Sequence, residues 1–196
     1  MMLEPLTGAG RGEAVETIKA GHYSHSVPSG KSYYFRFEVA IVVWSIPANK
    51  NLAKFILNCD APNVWELSRL WAPDGHRENL LTQAISQAVR GIQRLEMPDA
   101  LVSYADPNVG HIGGVYRAAS WLYHGQSEES RYYRDTQGNT VSRRAFHSGK
   151  RCLRKAEILA LGYEELKLPG KLRFVRPLSR RARKLIKPNP GTGPTS

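Results

Sequence analysis

Two cysteines in 196 residues, Cys59 and Cys152, are too few for a disulfide framework, and no CxxC pair stands anywhere in the chain. Both read as reduced thiols of a cytosolic protein, filling apolar space. No run reaches the roughly 18 apolar residues that cross a bilayer, and MMLEPLTGAGRGE lacks the basic-then-apolar order of a signal peptide. A cytoplasmic protein without a membrane partner is expected. Several enzyme signatures are missing too. The six histidines form no HExxH or facial-triad spacing, so no metal is expected. GxSxG and the phosphate-cradling P-loop are absent, which removes two large classes of hydrolase.

Acidic residues run out toward the C-terminus. Residues 1–142 hold 13 Lys and Arg against 14 Asp and Glu, whereas residues 143–196 hold 15 against 3. The whole net charge of +11 therefore comes from the last third. KLRFVRPLSRRARKLIK, residues 171–187, contains no acid at all. Such a block repels itself unless an anion covers it, and nucleic acid is the usual one. Arg173, Arg176, Arg180, Arg181, Arg183 and Lys184 are the expected phosphate contacts. DNA is the expected partner, RNA a second one, and a merely solubilising tail the alternative.

What is present is the punctuation of one α/β domain with a mixed sheet. The length suits a single core. A short helix is expected over Gly12–Ala20. SYYFRFEVAIVVWSIP is aromatic and β-branched, too long for one strand, and reads as a hairpin turning near Phe37. VWELSRLWAP reads as a strand that Pro73 ends. Leu80, Leu81, Ala84, Ile85, Ala88, Val89 and Ile92 recur on one face of a helix. ALVSYAD is a buried strand, followed by a Gly-rich turn, a helix near Gly114–Trp121 and a strand near Leu122–Gly125. RYYRDTQGNTVSRR suits a hairpin turning at Gln137-Gly138-Asn139. KRCLRKAEILALGY suits a helix ending near Gly162, and KLRFVRPL a last strand before a disordered Pro/Gly/Ser tail. Residues 1–180 are expected to form the domain and 181–196 the tail, with monomer and homodimer both open.

In sheets with crossover helices, ligands gather at the carboxyl ends of neighbouring strands. VSYADPNVGHIGGVYRAASWLYHG, residues 102–125, puts Asp106 at such an end if its strand adjoins the Glu66 strand. Tyr116 follows ten positions later, near enough to face the same cleft, and an unperturbed phenol is a competent proton donor. Alternation in ELSRLW sets Glu66, Ser68 and Leu70 on one face and Leu67, Arg69 and Trp71 on the other. A buried Arg69 needs an acid or an anionic ligand; Asp106 would serve, as a structural bridge or as part of a site. PDGHRENL places Gly75, His76, Arg77 and Asn79 before the long helix. It is either an anion-binding turn or a plain capping turn with Asp74 as cap.

The order of a strand, a helix opening on an anion site, a strand and a short helix with a tyrosine resembles the GNAT acyltransferase superfamily. That resemblance implies a CoA thioester between splayed central strands and a tyrosine that protonates the leaving thiolate. DGHREN departs from the superfamily's Gly-rich turn. A closer resemblance is to the Mom DNA-modification proteins of bacteriophages, carried by HYSHS (residues 22–26), ELSRLWAPDGHREN (66–79) and SYADPNVGHIGGVYRAASWLYHG (103–125). It implies a transferase that places a carbamoylmethyl group on the exocyclic amine of adenine in DNA and so blunts host restriction. Carried over, Asp106 would accept the amine's proton, Tyr116 would donate to the leaving group, and Arg69 would hold the donor or set Asp106's ionisation. His22, Tyr23, Ser24, Ser68, Asn108 and His111 would surround them. Tyr104, Trp71 or Trp121 would support the extruded base. The resemblance leaves the donor open between a CoA thioester and an aminoacyl-type compound. Two other classes stand beside it: an acetyl-CoA-dependent N-acetyltransferase of a protein or small amine, and a nucleic-acid-binding protein without catalysis.

Overall fold

A computed structural model of the chain describes residues 3–59, 62–148 and 151–186. In chain order its elements are α1 (Gly8–Gly21), β1 (Ser32–Phe37), β2 (Ala40–Ser45), α2 (Leu52–Leu57), β3 (Val64–Trp71), α3 (Leu80–Glu96), β4 (Ala100–Ala105), α4 (Gly114–Ala118), β5 (Leu122–Gln126), β6 (Ser130–Arg134), β7 (Thr140–Ser142), β8 (His147–Ser148), β9 (Arg151–Cys152), α5 (Lys155–Ala160), β10 (Glu164–Leu168), β11 (Leu172–Pro177) and α6 (Arg180–Leu185). Six strands form one mixed sheet in the order β1-β2-β3-β4-β11-β5, and β10-β6-β7 form a smaller antiparallel one.

Helices cover both faces of the large sheet, as its apolar patterning requires. On one face α3 buries Leu80, Ala84, Ile85, Ala88, Val89 and Ile92 against Phe35, Trp44, Leu67, Leu101 and Phe174. This is the stripe its period of 3.6 anticipates. Gly91 lets the helix approach the sheet, because a Cβ there would lie 2.5 Å from the Phe35 ring. On the other face α1 covers Tyr34, Ile41 and Val43 through Ala14 and Ile18. Beside it, α2 and α6 cover Val64, Ala100, Val102 and Val175.

The β1–β2 hairpin turns at Glu38-Val39, one residue from the expected place, with Phe37 opposite Ala40. Three expectations are corrected. The helix expected over residues 150–163 is only Lys155–Ala160: the Glu157 carboxylate accepts the Arg154 N–H at 2.7 Å and fixes the first turn there, and Arg151–Cys152 pairs with β8 instead. β11 is the last strand among the described residues, as expected, and it lies inside the sheet, antiparallel between β4 and β5. α1 begins four residues before Gly12. The expected boundary between residues 180 and 181 falls inside α6, whose Ala182 is buried, as is Ile186 just after it. The Pro/Gly/Ser tail from residue 187 lies outside the described residues.

Candidate active site

β3 and β4 run parallel and pair from Val64↔Ala100 to Leu67↔Ser103. Past that rung β3 continues to Trp71 alongside β2, and β4 continues to Ala105 alongside β11. The two strands therefore part into a V that opens at their carboxyl ends, the place where an α/β sheet binds its ligand. Ser103 Oγ donates to the Leu67 carbonyl at 2.9 Å, a buried bond at the apex.

Asp106 stands at the open end of β4, 3% exposed. Its Oδ1 accepts from Asn108 N–H at 3.0 Å and from Asn108 Nδ2 at 2.9 Å, and Lys171 Nζ lies 2.9 Å from Oδ2. Burial pushes the carboxyl up, but the Lys171 ammonium and the two Asn108 donors outweigh burial and hold it below its ordinary value. Lys171 responds in the opposite sense: burial lowers it, and Tyr23 and Asp106 leave it above the usual range.

The ion pair expected between Arg69 and Asp106 gives way to this one. A bulge in β3 is the reason: Val43 faces Arg69 and Trp44 faces Leu67, so Ser68 is the extra residue. Ser68 Oγ donates to the Val43 carbonyl at 3.1 Å. The bulge inverts the alternation. Leu67 and Leu70 both pack toward α3, and Trp71 packs toward α1. Arg69 reaches the loop after α1, where Nε donates to the Ser26 carbonyl at 2.7 Å and Nη2 to Ser26 Oγ at 3.0 Å.

That loop brings His22, Tyr23 and Ser24 to the site. His22 is 7% exposed, and its Nδ1 accepts from Ser24 N–H at 3.1 Å with Ser24 Oγ at 2.9 Å. An Nδ1 that accepts leaves the proton on Nε2. Burial, then the charges of Arg69, His111, His25 and Lys171, pull the imidazole down to about 4, so it is neutral near pH 7. Tyr23 stacks on His22 at 4.4 Å, meets His111 at 5.4 Å, and has Lys171 Nζ 5.9 Å from its ring centre. Burial raises its phenol, against the pull of Lys171. His22, Tyr23, His111, Asn108, Asp106 and Lys171 thus form one continuous cluster.

Tyr116 is a floor residue rather than a wall residue. Its ring lies in the core, 5.3 Å from Phe174 and 5.6 Å from Trp121. Burial pushes the phenol up to about 12, moderated by a hydrogen bond with Ser103 at the apex of the V. The three expected base platforms are engaged elsewhere. Trp121 is 4% exposed, Tyr104 packs with α2 and α6, and Trp71 meets α1 at Gly21.

The turn before α3 is exposed, with Gly75 at φ +73° and His76 Nδ1 3.0 Å from the Arg77 carbonyl oxygen. Arg77 donates to both Glu38 carboxylate oxygens and to Gln83 Oε1 at 2.8 Å. Asn79, not Asp74, caps the helix, in the left-handed region and without a side-chain bond.

The basic segment divides in two. Arg173 donates to the His124 carbonyl at 2.9 and 3.2 Å and covers the Phe55 ring, and half-buried Arg176 donates to the Ala119 carbonyl at 3.3 Å. Arg180, Arg181, Arg183 and Lys184 are exposed on α6. The Asp99 carbonyl, at the amino end of β4, accepts from Leu178 and Ser179 just before α6. That end is about 20 Å from Asp106 along the strand. An open depression of about 380 Å³, lined by Lys31, Lys50, Asn63, Trp65 and Glu96, also lies at the amino end of β3, away from the cluster.

Lys171 lies in the basic block of the sequence but is not among the site residues expected from it. The Pro169-Gly170 pair before it was the available signal of a turn that aims one side chain. Among the described residues no three of His, Cys, Asp or Glu come together to hold a metal ion, and Cys59 and Cys152 are free thiols. No described helix is long and apolar enough to cross a membrane.

A model of the Mom protein family matches residues 7–194. Over 179 residues the chain is 28% identical to the methylcarbamoylase Mom of Escherichia phage Mu, covering 86% of this chain and 73% of that one. An acetyltransferase of Bacillus subtilis in complex with CoA superposes with a TM-score of 0.50 at 8% identity, over 91% of this chain and 99% of that one. At such low identity the likeness is one of fold.

Proposed function

As the chain belongs to the Mom protein family, we propose that this transferase modifies DNA, placing a carbamoylmethyl-type group on the exocyclic amine of adenine. The observation that carries the reading is a buried, ionised Asp106 at the open end of the β3–β4 V, in contact with Lys171 and beside Tyr23. The methylcarbamoylase named for phage Mu supports the type of group transferred.

The lone pair of an exocyclic adenine amine is delocalised into the ring, so the amine attacks poorly. Asp106 accepts a hydrogen bond from N6–H and orients the attack. As the bond from N6 to the donor's acyl carbon forms, the thiolate or alkoxide departs with its electron pair, and an N6-glycyl group, an isomer of N6-carbamoylmethyl, reaches that form by rearrangement without gain or loss of atoms. The N6 proton becomes acidic at that moment, and a carboxylate of low basicity is then enough to take it. Tyr116, neutral throughout with its phenol near 12, hydrogen-bonds to the departing group from the floor. His22 is uncharged and donates through Nε2. The base leaves the duplex stack to reach the V, and Tyr23, 42% exposed, offers it an aromatic surface.

Exposed cations on α6 hold the phosphate backbone at a distance from the reacting base, and RNA would compete for the same face. The donor is a CoA thioester or an aminoacyl-type compound. Arg77 is already satisfied by Glu38 and Gln83, which weighs against a pyrophosphate on the α3 turn. A phage-encoded enzyme of this kind acts in the host cytoplasm and shields phage DNA from restriction. Nucleoside mass spectrometry of DNA from cells making the protein tests the proposal.

A further inference from the structure

Residues 127–171 leave the large sheet after β5 and return at β11, and the return is held with unusual closeness. Ser127 N–H donates to the Lys171 carbonyl, and Lys171 N–H donates to Ser127 Oγ, both at 2.9 Å. Gln126 Nε2 donates to the Gly170 carbonyl at 2.7 Å, and Asn108 Nδ2 to the Pro169 carbonyl at 3.1 Å. A Cβ on Gly170 would lie 1.8 Å from the Ser127 carbonyl oxygen, so only glycine fits. Asn108 therefore binds the Asp106 carboxylate and the turn that carries Lys171 at once. The Lys171 side chain is partly exposed, 34% against 4% for that of Asp106.

We propose that Lys171 is a positioning residue of the transfer: the Pro169-Gly170 turn delivers its ammonium to Asp106 Oδ2, leaving the carboxylate ionised and correctly oriented for the incoming amine. The inference rests on the reading of Asp106 as the proton acceptor. Groups facing the pair are Tyr23, His22 and His111 from the loop and turn beside it, Arg69 from β3, and Tyr132 from β6, whose charge also bears on Lys171. Lys171 makes the direct ion pair with Asp106, so its removal leaves burial opposed chiefly by the Asn108 donors.

The test is a ¹³Cγ titration of Asp106 by NMR in the full-length protein, assigned with Asp106→Asn, together with the pH profile of DNA modification. Lys171→Gln keeps a hydrogen-bond donor and removes the charge, Lys171→Met removes both, and Lys171→Arg restores the charge. In the Gln and Met variants, Asp106 should bind its proton at least about tenfold more tightly. The acid limb of the modification profile should move up by the same amount, and Arg should bring both back. An Asp106 titration unchanged in both neutral variants overturns the proposal. So does a shifted titration with an unshifted pH profile. If wild-type protein yields no adduct, the DNA-modification reading fails instead, and the NMR titration still decides whether Lys171 governs Asp106.

Discussion

Ser103 Oγ donates to the Leu67 carbonyl at 2.9 Å across the last rung shared by β3 and β4. The same Ser103 draws the buried phenol of Tyr116 down against the push of burial. One hydroxyl thus closes the apex of the V and sets the floor tyrosine. Ser103→Ala leaves buried polar groups without their partner, which costs about 1–3 kcal/mol, read as a lower denaturation midpoint.

Gly170→Ala should be among the most damaging single-methyl additions in the chain. The added carbon meets backbone, not a yielding side chain, and such overpacking costs about 3 kcal/mol or more. Modification should fall along with stability, since the turn that aims Lys171 shifts. Thermal denaturation and the adduct assay check both.

His22 supplies a pH dependence of stability with a definite sign. Its folded value, about 4, lies below its ordinary 6.5, so protonation favours the unfolded chain. The stabilisation is fully present above pH 6.5 and is lost as the pH falls toward 4. It amounts to about 3 kcal/mol at most. Denaturant midpoints between pH 7.5 and 4.5, compared for wild type and His22→Gln, should converge toward the acid end.

The two halves of the basic segment should separate by experiment. Replacing Arg180, Arg181, Arg183 and Lys184 by Gln should flatten the log–log salt dependence of DNA affinity, with little change in melting temperature. The slope should fall by about 0.9 for each phosphate that is no longer neutralised. Arg173→Gln should instead lower the melting temperature, because it strips two bonds from the His124 carbonyl and uncovers Phe55. Equal slopes for wild type and the fourfold variant would show that α6 does not touch phosphate.

Most of the layer structure was legible because it follows from local pattern. The α3 stripe, the hairpin turning beside Phe37, and the strand ending at Asp106 all follow from periodicity and punctuation. Three features were not. The bulge at Ser68 shifts the faces of β3 without any Gly or Pro to mark it, so strict alternation sent Arg69 toward the wrong neighbour. β11 enters the middle of the sheet by a long-range pairing that no local signal encodes. Lys171 sits in a run of cations where charge counting gives every member the same role. Tertiary placement separates it: one methylene stem reaches Asp106, while Arg173 and Arg176 bind carbonyls and α6 faces water. His22, Tyr23 and Ser24 came from family resemblance rather than spacing, and they lie against the Asp106 cluster.

The most direct measurement is mass spectrometry of nucleosides from DNA of cells expressing the wild-type protein, Asp106→Asn or Tyr116→Phe. Wild-type DNA should carry an adenine adduct of carbamoylmethyl mass. Asp106→Asn should abolish it while retaining affinity for DNA, and Tyr116→Phe should slow its formation by about 10²–10⁴. Unmodified adenine in the wild-type sample, or a full adduct level with Asp106→Asn, would contradict a transfer to adenine governed by Asp106.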